Sequence, residues 1–70
     1  MGVAVECHSG HTYAERPKAF YLDDVRLEVE IILAEWRCQA GKHFRIKTKN
    51  GSVFELVYDE NNDIWQVKET

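Results

Sequence analysis

Proline occurs once, at Pro17, and cysteine twice, at Cys7 and Cys38, in a chain of 70 residues. Two cysteines cannot build a disulfide framework, and in a reducing compartment both are expected as thiols. No apolar run approaches the roughly 20 residues a membrane span requires, so no membrane partner is expected. The opening Met1-Gly2-Val3-Ala4-Val5-Glu6 turns acidic too early for a secretory signal. Glu6 also stands where N-myristoylation calls for Ser or Thr. These absences point to the cytoplasm.

A basic surplus is lacking too. Nine Lys and Arg face twelve Asp and Glu, a formal net charge of −3, whereas a dedicated nucleic-acid binder usually carries a clear positive excess. No Gly-x-Ser-x-Gly elbow, phosphate-binding glycine loop or His-Glu-x-x-His run is present. No enzyme and no cofactor are therefore expected.

What is present suits one small folded domain. Two Trp, three Tyr and three Phe, with many Val, Ile and Leu, supply enough apolar surface to order the chain. A chain this short hides only about 60% of its unfolded surface, so the core is thin. Residues 1–16 read as a polar N-terminal segment, flexible or adding an edge strand. Residues 17–70 read as a single small β domain beginning at Pro17, whose missing N–H suits the first position of a strand.

Turn chemistry and alternation set the strand registers. A three-residue loop Lys49-Asn50-Gly51, with Gly51 left-handed, places Ile46 opposite Phe54 and Phe44 opposite Leu56. It also sets Arg45 against Glu55 on the other face, an opposite-charge cross-strand pair. The same rule applied to Gln39-Ala40-Gly41 places Trp36 opposite Phe44, Ala34 opposite Ile46 and Glu35 opposite Arg45. A turn at Asn61-Asn62 sets Tyr58 against Trp65 and Leu56 against Val67, since Asn tolerates positive φ. A turn at Asp23-Asp24 sets Leu22 against Val25, Phe20 against Leu27 and Lys18 against Val29.

Within residues 25–38 the inward residues are odd at the start (Val25, Leu27, Val29) and even at the end (Ile32, Ala34, Trp36). One strand can change parity only through a bulge or bend, here near Ile31-Ile32-Leu33. The expected fold is an all-β, five-stranded antiparallel meander with one long bent strand, curled into a small, partly open barrel. The alternative is α+β with residues 25–37 helical, because Val25, Val29, Ile32, Leu33 and Trp36 also share a helical face. β-branched content favours the strand. The expected core is Phe20, Leu22, Val25, Leu27, Val29, Ile32, Ala34, Trp36, Phe44, Ile46, Phe54, Leu56, Tyr58, Trp65 and Val67, with Trp36→Ala costing roughly 3–5 kcal/mol.

Three groups of residues are candidates for chemistry. Cys7, His8, His11 and Cys38, with His43 nearby, offer Cys and His donors of the kind zinc uses. They lack a Cys-x-x-Cys bite, and the expected register turns Cys38 inward and His43 outward. A basic strip, His43, Arg45, Lys47 and Lys49 with Arg37 and Lys42 beside it, could track phosphates. Glu35 and Glu55 are expected to flank Arg45, however, and the aromatic residues to lie on the opposite face. The turn bearing Asp59, Glu60 and Asp63 lacks a calcium-loop pattern. Cys7 with His11 is a conceivable thiolate pair, but it sits in a segment poorly suited to hold one.

The run Glu15-Arg16-Pro17-x-x-Phe20, then Val29-x-x-Ile32-x-x-x-Trp36-Arg37, then His43-Phe44-Arg45-Ile46-x-Thr48-x-x-Gly51-x-x-Phe54-Glu55-Leu56-x-Tyr58-Asp59, closed by Trp65, resembles a family of small bacterial all-β domains of unknown function. Some of these are encoded near translesion DNA polymerases. The matching positions are mostly core and turn residues, so the resemblance implies a shared fold and an accessory or binding role. It supplies no catalytic residue. The resulting expectation is a non-enzymatic, monomeric interaction module with a protein partner. A nucleic-acid-binding accessory domain using strand 43–49 is the alternative, and a zinc-binding module a second one.

Overall fold

A computed structural model of the protein describes residues 3–7, 16–39 and 41–69. These residues form β1 (Val5–Cys7), β2 (Pro17–Leu22), β3 (Val25–Cys38), β4 (Gly41–Thr48), β5 (Val53–Asp59) and β6 (Ile64–Glu69). The six strands make one antiparallel meander, each pairing with the next in chain order. The helical alternative for residues 25–37 is overturned, since that stretch is strand throughout. The sheet curls until its two ends meet at one point, where the Val3 N–H donates to the Trp65 carbonyl at 2.9 Å. The result is a small, partly open barrel. Among the described residues, no helix is long and apolar enough to cross a membrane.

The curl buries one face. Phe20, Phe44, Ile46, Phe54 and Leu56 form the core, with Val5, Leu22, Leu27, Val29, Ile32, Trp65 and Val67 packed around it. Phe20 meets Phe54 edge to face at 5.3 Å, joining the β2 side of the barrel to the β5 side. Such aromatic pairs add about 0.5–1.5 kcal/mol beyond the area they bury.

Three hairpins follow their expected registers. β4 and β5 pair Ile46 with Phe54, Phe44 with Leu56 and Arg45 with Glu55, and Gly51 takes a φ of 91° in the loop. Leu22 pairs with Val25 and Phe20 with Leu27 across Asp23 and Asp24. Those two residues have φ of 51° and 66°, the double positive φ of a type I′ turn. The β2–β3 pairs run from Leu22–Val25 to Ala19–Glu28, so the expected Lys18–Val29 pair is not among them. Tyr58 pairs with Trp65 and Leu56 with Val67 as expected, but the connection is longer. Asp59 pairs with Ile64, leaving four residues in the loop. Its positive φ falls on Asp63, not on Asn61 or Asn62. Asp59 accepts hydrogen bonds from the Asn62 side chain and from the Asn62 and Asn61 backbones, which stabilise the wider loop and hold its carboxyl below the ordinary range.

The β3–β4 hairpin departs from expectation. Cys38 pairs with Gly41, Trp36 with His43, Glu35 with Phe44 and Ala34 with Arg45. Every side chain in this part of β3 is therefore on the other face from the one expected. Two bulges explain how. One lies between Val29 and Ile31 and carries the inward positions from Leu27 and Val29 to Ile32; the second, between Ile32 and Ala34, reverses that change. The residue pattern implies a single bulge; the second turns Ala34, Trp36 and Cys38 outward. Trp36 is 38% exposed and Val25 is 56% exposed, so neither belongs to the core, and nor does the exposed Ala34. Gly41 is needed on two counts: its φ of 142° is one that L side chains rarely adopt, and a Cβ there would overlap the Tyr58 carbonyl.

Candidate functional site: the outer face of β3, β4 and β5

The reversed register brings Trp36, Cys38, His43, Arg45, Lys47 and Glu55 to the face turned away from the core. Here Cys38 Sγ lies 2.9 Å from His43 Nε2. On the other side of the same ring, His43 Nδ1 lies 2.9 Å from Glu55 Oε2. The chain thiol, imidazole, carboxylate thus runs diagonally across three strands. Trp36 stacks on the imidazole, with centroids 5.3 Å apart and planes 18° from parallel. Arg45 lies over the other part of this arrangement, its guanidinium carbon 5.9 Å from the Trp36 ring.

His43 is only 9% exposed although it points away from the core, and its strand neighbour Val57 is 6% exposed. The ring is thus held in one orientation by stacking and by hydrogen bonds at both nitrogens. A carboxylate only accepts, so Nδ1 carries the proton and Nε2 of the neutral ring is left to accept from the thiol. A nucleophile beside a base, itself oriented by a third group, is the minimal arrangement of thiol chemistry. Cys38 is exposed at the open end of the row.

The expected basic strip is divided. Arg45 and Lys47 are exposed on the outer face, but Lys42 lies on the opposite face, with Nζ 5.4 Å from the Phe44 ring centroid. Arg37 is engaged by Glu60. Lys49 Nζ is 3.5 Å from Glu28. Glu55 stands opposite Arg45 as expected, although its carboxylate bonds His43. Glu35 does not flank Arg45; it pairs in register with Phe44 and lies 3.7 Å from Arg16. The expectation that the aromatic side chains all face away from the basic residues is also corrected, because Trp36 shares the face of Arg45 and Lys47.

Of the proposed metal ligands, Cys7 is half-buried at the end of β1 and Cys38 closes β3. His8 and His11 lie outside the described residues. The expectation that Cys38 and His43 are on opposite faces is overturned by their 2.9 Å approach. Among the described residues, no group of three or more His, Cys, Asp or Glu side chains is arranged to hold a metal ion.

Glu55 and Trp36 are site residues that the sequence pattern does not single out. Glu55 is legible as Arg45's cross-strand neighbour, and thus as a diagonal neighbour of His43. The outward placement of Trp36 and Cys38 is hidden by the one-residue difference in the β3–β4 register.

Among the described residues, β3 is paired along one side only over most of its length. Its first four residues pair with β2, whereas residues 29–38 pair only with β4 among the described residues. An open groove of about 340 Å³, lined by Arg16, Pro17 and residues 29–32, lies where β2 and β3 diverge. Ile31, Leu33 and Trp36 are exposed along this half of the strand.

No family model, curated protein or solved structure matches this chain.

Proposed function

We propose that the chain is a small, monomeric, non-enzymatic interaction module of the cytoplasm that adds an extended, acidic segment of a protein partner along the open edge of β3. The observation that carries this reading is the half-paired strand: residues 29–38 have a ladder on one side only among the described residues. An unpaired edge offers main-chain donors and acceptors to an incoming strand, and alternate side chains supply selectivity. Exposed Ile31, Leu33 and Trp36 offer apolar contacts, and Arg45 and Lys47 add positive charge on the face beside them. Glu30, Glu35 and Arg37 along the edge work against pairing with a second copy.

A direct test titrates the isotope-labelled protein with a peptide alternating Val and Asp, and with one alternating Val and Lys. Docking predicts new exchange protection for amides in residues 30–38 with the acidic peptide, and its loss in Leu33→Pro and Lys47→Glu. Equal response to both peptides, or none, refutes the reading.

Trp36 beside Arg45 and Lys47 favours one second reading, a single-stranded nucleic acid stacked on the same face. Oligo(dT) quenching Trp36 fluorescence in a salt-sensitive way, with loss in Arg45→Glu, would support it over the peptide.

A further inference from the structure

We propose that Cys38, His43 and Glu55 form a thiol–disulfide exchange site that takes low-molecular-weight disulfides onto Cys38. The site goes beyond the strand-docking reading: it uses the side chains of Cys38, His43 and Glu55, and shares only Trp36 and the end of β3 with the docking surface. Its basis is geometric. Three strands bring a thiol, an imidazole and a carboxylate into one hydrogen-bonded row, with 2.9 Å at each junction. Trp36 stacked on the ring and the buried Val57 beside it exclude water from the base, while Cys38 at the end of the row is an exposed residue. A merely structural pair would have no need to leave its nucleophile open to solvent.

The step balances without a further reagent. Nε2 of His43 takes the proton from Sγ of Cys38, and the thiolate attacks one sulfur of the disulfide in line with its S–S bond. A Cys38–S–S–R bond forms as the original S–S bond breaks. The electron pair leaves on the second sulfur, which receives the proton from His43 as a free thiol. One disulfide is consumed, one is made, and one thiol is released. Glu55 acts through His43 as a positioning residue, keeping the proton on Nδ1 so that Nε2 faces the thiol.

Disulfide exchange suits the site better than acyl transfer does. Acyl transfer requires hydrogen-bond donors aimed at a developing oxyanion. The main chain flanking His43 and Glu55 is taken up by pairing with β3, β5 and β6. Exchange places no such demand, because the charge that develops sits on a thiolate and is discharged by a proton. A cysteine on an exposed position is also within reach of a small disulfide without a pocket.

The experiment uses the full chain carrying Cys7→Ser, so that Cys38 is the reporting thiol, with 4,4′-dithiodipyridine as the probe at neutral pH. The folded protein should release thiopyridone at least about tenfold faster than the same chain unfolded in urea, a modest share of what a positioned base supplies. His43→Gln should slow the reaction by a similar factor while circular dichroism shows the fold intact. Added imidazole should restore part of the rate in His43→Ala, which a purely structural role for the ring would not produce. Glu55→Gln should be slow and Glu55→Asp partly recovered. Equal rates for the folded, unfolded and His43→Gln proteins would overturn the proposal, as would release that persists in Cys38→Ser.

Discussion

Trp36 lies nearly flat on His43, ring on ring, although both residues belong to the face of the sheet that points away from the core. The contact links β3 to β4, and it hides the imidazole from solvent while leaving the indole partly exposed. The outer face of this small barrel is therefore neither uniformly solvated nor part of the core.

This placement sets a lower cost for removing the indole than a core position would. Trp36→Ala should destabilise the protein by about 1–2 kcal/mol, the scale of a surface aromatic pair with some burial. Phe44→Ala, at a fully buried site, should cost about 3–5 kcal/mol. A domain of this size has on the order of 3–5 kcal/mol to lose, so the first variant stays folded and the second does not. Urea unfolding followed by circular dichroism separates them, and a Trp36→Ala chain that fails to fold would contradict the outward placement.

The two glycines with positive φ should respond differently to alanine. Gly51 has open space where a Cβ would go, so Gly51→Ala costs only its backbone conformation, about 1–2 kcal/mol. At Gly41 the added Cβ runs into the Tyr58 carbonyl as well. Gly41→Ala should therefore be the more damaging by a clear margin in thermal melting, and equal losses would refute the close approach of β4 and β5.

Acid should loosen β1 before the core. Glu6 on β1 accepts from Arg26 on β3 and Tyr21 on β2, and these bonds hold its carboxyl at about 2, below its ordinary 4.5. A lowered carboxyl contributes its full stabilisation above about pH 4.5 and loses it as pH falls toward 2. The difference in melting temperature between wild type and Glu6→Gln should be constant near neutrality and shrink across that window. Asp59 is lowered too, which is why the comparison with Glu6→Gln is the informative one. A difference that does not change with pH would dismiss the three-strand clasp.

The Asp23-Asp24 turn holds two non-glycine residues at positive φ, a conformation that Asn-Gly adopts at lower cost. Replacing the pair by Asn-Gly should stabilise the protein by about 0.5–1 kcal/mol, raising the melting temperature by several degrees. A fall in melting temperature would argue against a type I′ turn.

Much of the barrel is legible in the order of residues along the chain. Alternation together with Gly51 places Ile46 opposite Phe54, and acidic turn residues place Phe20 opposite Leu27, because a slip by one would expose every apolar side chain in those strands. Around Gln39-Ala40-Gly41 the local pattern misleads. Ile32, Ala34 and Trp36 alternate as a buried face does, and Gly41 looks like a left-handed turn residue. What decides instead is non-local: the second bulge on β3 and the close approach of Gly41 to Tyr58.

The amino-acid sequence alone determines five of the six strands, the hairpin order and most of the core, since these follow from side-chain period and turn chemistry acting over a few residues; the sixth, β1, is a strand in a segment that the sequence leaves as flexible or an edge strand. Only the tertiary structure decides which way Trp36 and Cys38 face, that Glu55 meets His43, and that half of β3 is left with one neighbour among the described residues. Those outcomes depend on how two bulges add up along a bent strand packed against β4, a balance between distant segments that no short stretch of sequence carries.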